Sequence, residues 1–170
     1  KHELRGKVVI TAIEIALHRT PRPRLGYGDV EREVEARGGA TLRNIREAIC
    51  AIRRAKLPDP KVLGNAGSFF KNPVVEQAVA DRLRAEFPDM PLYPAAGQAD
   101  RAKLAAGWLI DRAGMKGYRE GCVGVHERQA LVLVNFGGAT GGEVLALARK
   151  VQQRVRERFG VEIDTEVNIL

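Results

Sequence analysis

Pro58 and Pro60, with only Asp59 between them, cut the chain where neither a helix nor a central strand can run through. Proline fixes φ, lacks the N–H that a hydrogen-bond ladder needs, and pushes the preceding residue out of the α region. The segment before the cut has a clear helical period. Over Thr41–Lys56 the apolar residues Leu42, Ile45, Ile49 and Ile52 recur at three and four, with Arg43, Arg46, Arg53 and Arg54 mostly elsewhere and Thr41 as N-cap. A domain boundary is therefore expected near Leu57. Further upstream, Lys7–Leu17 is β-branched and apolar on nearly both faces, which predicts a long strand buried on both sides. His18–Arg24 holds two prolines and four basic side chains counting His18, and Leu25–Asp29 reads as a turn-rich loop.

Beyond the cut the periods alternate. Val75, Val79, Leu83 and Phe87 mark a helix after Pro73, stopped by Pro88 and Pro91, and Ala102–Ala113 is expected to be a helix ending at Gly114. Gly121–Phe136 reads as a strand, a turn around Glu127-Arg128 and the apolar run Ala130–Val134. Val144, Leu147, Val151, Val155 and Phe159 mark a last helix closed by Gly160, and Val161, Ile163, Thr165, Val167 and Ile169 alternate as a half-solvated strand does. The pattern is mixed α and β, with no internal repeat.

Composition narrows the function classes. No apolar run approaches the roughly 18 residues of a membrane span, so a transmembrane protein is not expected. Cys50 and Cys122 cannot build a disulfide framework, no leader is readable at the first residues, and a reducing cytoplasm is expected. The net charge of +7 is concentrated in residues 1–61, where 14 Lys/Arg face 8 Asp/Glu. Such a basic region attracts nucleic acid, an anionic membrane surface or a phosphate-bearing ligand. No RNP, helix-turn-helix or zinc pattern accompanies it, so a nucleic-acid-binding protein stays a minor alternative to phosphate recognition.

The densest run of chemistry-bearing residues is Gly64-Asn-Ala-Gly-Ser-Phe-Phe-Lys-Asn-Pro73. Two glycines let backbone approach a ligand closely, and a hydroxyl, an ammonium and a carboxamide follow. It is not a Walker A loop. Ser68 and Lys71 match the Ser-x-x-Lys pattern of serine acyl-enzymes, which needs one helical turn to set the amine beside the hydroxyl, but Pro73 disfavours a helix there. His126 is read as structural, since no second histidine or cysteine stands at ligand spacing, and no metal site is expected. Trp108 is assigned to packing, and Cys50 and Cys122 are assigned no reactivity.

Gly64–Val75 closely resembles the signature of the UDP-N-acetylenolpyruvoylglucosamine reductase family of flavoenzymes in bacterial cell-wall synthesis. The resemblance continues through Leu25–Asp29, Lys56–Lys61, Lys103–Asp111, Val125-His126 and Gln129–Asn135, spanning nearly the whole chain but only the C-terminal half of the family's enzyme. It implies an α/β (α+β) chain: the end of a flavin-binding α/β domain over residues 1–57, a mixed α/β substrate-binding domain over 58–158, and a C-terminal return strand over 159–170 to the N-terminal domain. The Tyr27 loop resembles the subtype with a tyrosine-bearing lid.

The implied reaction is NADPH-dependent, FAD-mediated reduction of UDP-N-acetylglucosamine enolpyruvate to UDP-N-acetylmuramate, by a cytoplasmic monomer. By motif, Ser68 is the proton donor and Glu166, in Thr-Glu-Val, helps stabilise the enolate; the family's partner arginine lies before the first residue of this sequence. Tyr27, Lys56, Asn72, Tyr93, Lys116 and Gln129 correspond to contacts of the nucleotide sugar, whose two phosphate charges need cations and amide donors. Arg53 corresponds to an arginine near the flavin, while Asn168 stands where many relatives have arginine. The 170 residues alone are expected to lack redox activity, and a UDP-sugar-binding module without redox chemistry is the alternative reading.

Overall fold

The computed structural model describes residues 8–169, and the chain divides into two compact units after Ile52. In the first unit the strand expected over Lys7–Leu17 does not form. Lys7 lies outside the described residues, and from Val8 to Leu17 no residue joins a ladder, with Val9, Ile10 and Leu17 between 77% and 87% exposed. The side chains have the right shape for a sheet, but a strand exists only where a neighbour takes its N–H and C=O groups, and the described residues hold none for this segment. What the unit does pack is a small cluster. Helix α1 (Val30–Glu35) buries Val30 and Val34 with Ala48 of helix α2 (Leu42–Lys56), and Leu25, Ile45 and Ile52 lean on them. Thr41 caps α2 as its sequence position suggests, its Oγ1 accepting from the N–H of Asn44 at 3.1 Å.

The second unit, from Arg53 onward, is built on two antiparallel sheets. Its strands and helices follow as β1 (Gly64–Ser68), β2 (Val74–Glu76), α3 (Gln77–Glu86), β3 (Leu92–Pro94), β4 (Arg101–Leu104), α4 (Ala106–Arg112), β5 (Arg119–Glu120), β6 (Val123–Val125), β7 (Val132–Asn135) and α5 (Gly141–Phe159). One sheet has the order β1-β7-β6-β5, the other β2-β4-β3. The mixed α/β class expected from the periods is the one observed.

One core joins α3, α4 and α5 to both sheets, centred on Leu83, Leu104, Leu109, Ile110, Val151, Val155 and Ile163. Phe87, Trp108 and Phe159 meet edge-on or tilted beside it, with ring centroids 5.4 to 5.8 Å apart, so Trp108 packs. Helix α5 starts in a complete capping box, Thr140 with Glu143, and ends at Gly160 with φ +67°, the left-handed cap that glycine adopts without strain.

Three element boundaries differ from the expectation. Val75 lies in β2 and the helix begins at Gln77; Ala102–Leu104 is strand β4, and the helix there begins only at Ala106. In Arg101-Ala-Lys-Leu104 alternate residues are buried, a period of two that a helical reading of Leu104, Trp108 and Leu109 overrides. The alternation over 161–169 is present, with Val161 and Ile163 buried, but the strand contracts to a single bridge between Thr165 and Phe70. Cys122 lies in the exposed turn between β5 and β6, not in a strand. Among the described residues no helix is long and apolar enough to cross a membrane.

Candidate functional site

The Gly64–Pro73 motif folds as a bulged strand, not as a helix, so Ser68 and Lys71 are not held one helical turn apart. Asn65 makes the bulge. Its side-chain oxygen accepts from the N–H of Gly67 at 3.0 Å, its amide donates to the carbonyl of Leu63, and the register against β7 shifts between Asn65 and Ser68. Gly67 takes φ +71°, a conformation that a side chain would strain. A bulge re-aims the residue that follows it, and here that residue is Ser68, at the exposed end of β1.

Backbone hydrogen bonds then draw the distant segments to this strand end. The N–H of Phe69 donates to the carbonyl of Leu131, two residues beyond Gln129, and the N–H of Glu166 donates to the carbonyl of Phe69. The N–H of Lys71 donates to Asp164. Ser68 and Glu166, assigned to catalysis on their motifs and far apart in sequence, are thus carried on backbone segments that hydrogen-bond to each other.

Asn72 has a partner that the sequence does not reveal. Its Oδ1 accepts from the N–H of Ala106 at 2.9 Å and so caps α4, whose own N-cap position is an alanine without a side-chain acceptor. The carbonyl of the adjacent Pro73 accepts from Leu104. Gln129 folds back on itself, Oε1 accepting from the N–H of Leu131, and the same oxygen lies 3.7 Å from where a side chain on Gly107 would begin. Both carboxamides therefore stand at the first turn of α4. Asn72→Ala is expected to destabilise the chain by about 1 kcal/mol, whereas Asn72→Asp, which keeps the acceptor, should restore most of that; equal urea midpoints for wild type and alanine variant would refute the capping role.

Lys116 sits in the turn after α4, its Nζ 2.8 Å from Asp111, and Tyr93 stands across from Lys103 on the outer face of the three-stranded sheet. Lys103 lies between Val74 and Tyr93 and is a candidate that the sequence reading missed; its alternation with Ala102 and Leu104 was the available signal. Arg53 and Lys56 belong to the last turn of α2. Tyr27 belongs to the first unit, where it is exposed in a turn closed by its own N–H to Leu25 and its carbonyl to Val30.

A cavity of about 910 Å³ opens on the four-stranded sheet of the second unit, lined by Arg53, Arg54, Arg119, Arg128, His126 and Phe136 among others. The Arg119 guanidinium lies over the Phe136 ring at 3.9 Å. Arg54, Arg119 and Arg128 carry no sequence signal beyond their charge. His126 is buried, and its Nδ1 accepts from the N–H of Arg128 at 3.3 Å. Burial first, then the positive charge of Arg128, lowers its pKa against a smaller opposing pull from Glu127. An unfolded histidine titrates near 6.5, so the unfolded chain binds the extra proton first as the pH falls. The stability due to neutral His126 is full above that value and is lost as the pH drops toward the lowered folded value. Urea unfolding at about pH 7.5 and about pH 5.5 should show this acid loss, and His126→Gln should shrink it; identical losses in both proteins would exclude His126 as the source.

A family profile described as "UDP-N-acetylenolpyruvoylglucosamine reductase, C-terminal domain" matches residues 59–170. The chain belongs to the UDP-N-acetylenolpyruvoylglucosamine reductase family. The proteins of that name from Burkholderia ambifaria and Chromobacterium violaceum are 58% and 55% identical to it. These alignments take in 98% and 100% of this chain and 48% and 50% of the relatives, so the chain spans about half the length of the reductases it matches. A crystal structure of the reductase from Thermus caldophilus aligns with 74% of this chain and 34% of its own at 30% identity, with a TM-score of 0.42. The profile match starts at Asp59, between the two prolines of the Pro58–Pro60 cut, and takes in the bulge, both carboxamides, Lys116 and Glu166.

Proposed function

We propose that this chain forms the substrate side of a reductase that converts UDP-N-acetylglucosamine enolpyruvate to UDP-N-acetylmuramate for peptidoglycan synthesis. The observation that carries the reading is the pairing of the Ser68 strand end with the Glu166 segment, in a chain more than half identical to proteins named for this reduction. On this reading residues 1–57 close a flavin domain, 58–158 hold the substrate, and 159–170 return.

The last turn of α2 suits a flavin or phosphate oxygen: Arg53 and Arg54 line the cavity and form no ion pair among the described residues. FAD held there by Arg53 and Arg54 and reduced by NADPH would supply a hydride for the β-carbon of the enolpyruvyl group. The residues of this chain then handle the charge that remains. Addition at the β-carbon leaves an electron pair shared between the α-carbon and the carboxylate, and Ser68 delivers a proton to that carbon. An unperturbed hydroxyl is a weak acid, so Ser68 acts with a water or a polar neighbour in a site that excludes bulk solvent. Glu166, on the segment that hydrogen-bonds to Phe69, helps stabilise the enolate. Lys56 and Lys116 neutralise the diphosphate, the amide donors of Asn72 and Gln129 meet sugar or phosphate oxygens, and Tyr93 covers the ligand. With one lone pair of Oδ1 committed to α4, Asn72 still has its NH₂ group to offer the ligand.

The test is the coupled reaction. The polypeptide carrying this chain is expected to oxidise NADPH only when the enolpyruvyl substrate is added, with UDP-N-acetylmuramate as the product by mass spectrometry. NADPH oxidation without that product overturns the proposal.

A further inference from the structure

The turn that presents Lys116 is poorly supported from behind. It runs Gly114–Tyr118, with Gly114 and Gly117 at φ +74° and +76°, and a cavity of about 400 Å³ lies between it and α5. Met115 is its one buried residue, pinned by its N–H to the carbonyl of Ile110. Met115 anchors the incoming side of the turn, and on the outgoing side the Tyr118 ring packs partly against the core while the carbonyl of that residue accepts from the N–H of Val125. The Tyr118 hydroxyl end is fixed in addition by a polar tie to α5. Lys150, flanked on α5 by the buried Ala148 and Val151, donates to the Tyr118 hydroxyl at 3.1 Å and forms an ion pair with Glu120, while Tyr118 donates to the same carboxylate at 2.8 Å. The ammonium also lies 5.3 Å from the centre of the Tyr118 ring. Each of the three groups touches the other two, so the set closes on itself and is stiffer than an isolated surface pair.

We infer that Lys150, through Tyr118 and Glu120, is a positioning residue that sets the Lys116 turn for diphosphate binding. Lys116 is two residues from Tyr118, and Gly117 between them offers little resistance to rotation; Asp111 restrains the ammonium from the α4 side, and with the tie gone the turn samples a wider volume against that anchor and must be ordered each time ligand binds. The inference rests on the assignment of Lys116 to the nucleotide sugar. The pKa values are shifted in the matching directions: Glu120 is lowered chiefly by Lys150, and Lys150 is raised chiefly by Glu120.

Charge and position can be separated, because Lys150 and Glu120 have opposite signs. If Lys150 acted only by attracting the diphosphate, Lys150→Met would weaken binding and Glu120→Gln would strengthen it. If the tie positions the turn, both substitutions weaken binding, and so does Tyr118→Phe, which changes no charge and is the safeguard should Lys150→Met fold poorly. With UDP as the probe, titrated calorimetrically into the purified chain, we expect roughly three- to tenfold weaker binding in all three variants. Lys150→Arg should recover most of it, and none of the three should add further loss in a Lys116→Ala background. Tighter binding by Glu120→Gln, or an unchanged dissociation constant in Tyr118→Phe and Lys150→Met while Lys116→Ala weakens binding, overturns the positioning role and leaves the assignment of Lys116 standing. An unchanged dissociation constant in Lys116→Ala overturns that assignment, and the inference with it.

Discussion

In the full-length polypeptide that carries this chain, replacing Ser68 with alanine is expected to slow reduction of the enolpyruvyl substrate by roughly two to four orders of magnitude while leaving flavin reduction by NADPH nearly unchanged. The two half reactions differ in what they ask of the chain. Only the second creates negative charge on carbon that needs a proton, and Ser68 stands after the Asn65–Gly67 bulge at the strand end where the Glu166 segment joins. Stopped-flow absorbance of the flavin separates the two phases. Equal losses in both, or a loss in neither, would remove Ser68 from the proton-transfer role. Ser68→Cys offers a second reading, since a more acidic group at the same place should recover part of the rate.

Leu109→Ala should cost about 2 to 5 kcal/mol of stability, a loss large enough to unfold much of the second unit under mild urea. Leu109 is wholly buried on α4, in the core shared by α3, α5 and both sheets. The same helix receives the Asn72 cap and carries the Asp111 partner of Lys116. Deleting its side chain leaves a cavity that α3 and α5 cannot collapse into without moving α4 and the site it carries. The midpoint of urea unfolding should fall with an unchanged slope, and UDP binding measured well below that midpoint should weaken as well. A midpoint shift without any change in binding would show that α4 anchors the fold but not the site.

The helices at 42–56, 77–86 and 141–159 were legible because their apolar residues recur on one face and their ends carry Thr, Pro or Gly punctuation. Three- and four-residue strands were harder. Arg101–Leu104 has a single alternation, too short to compete with the helical spacing that follows it, and Arg119–Glu120 has no pattern at all. Lys7–Leu17 failed for the opposite reason: its β-branched run is strong, but strand formation is decided by a partner. For the site, Ser68, Asn72, Lys116, Gln129 and Glu166 were found by a motif match extending over most of the chain. No spacing rule links them, and Lys103 and the cavity arginines left no comparable trace.

Local periodicity and chain-breaking residues settle the mixed class and the longer helices, while the candidate residues come from the motif match. Periodicity and chain breaks are properties of neighbours along the chain, set by dihedral preference and by which face turns apolar. Tertiary structure alone decides that Ser68 meets the segment of Glu166, that Asn72 caps a helix 34 residues away, and that Lys150 braces the turn of Lys116. Those contacts are made by hydrogen bonds between groups remote in sequence, whose partners exist only once the sheets have paired and the helices have packed.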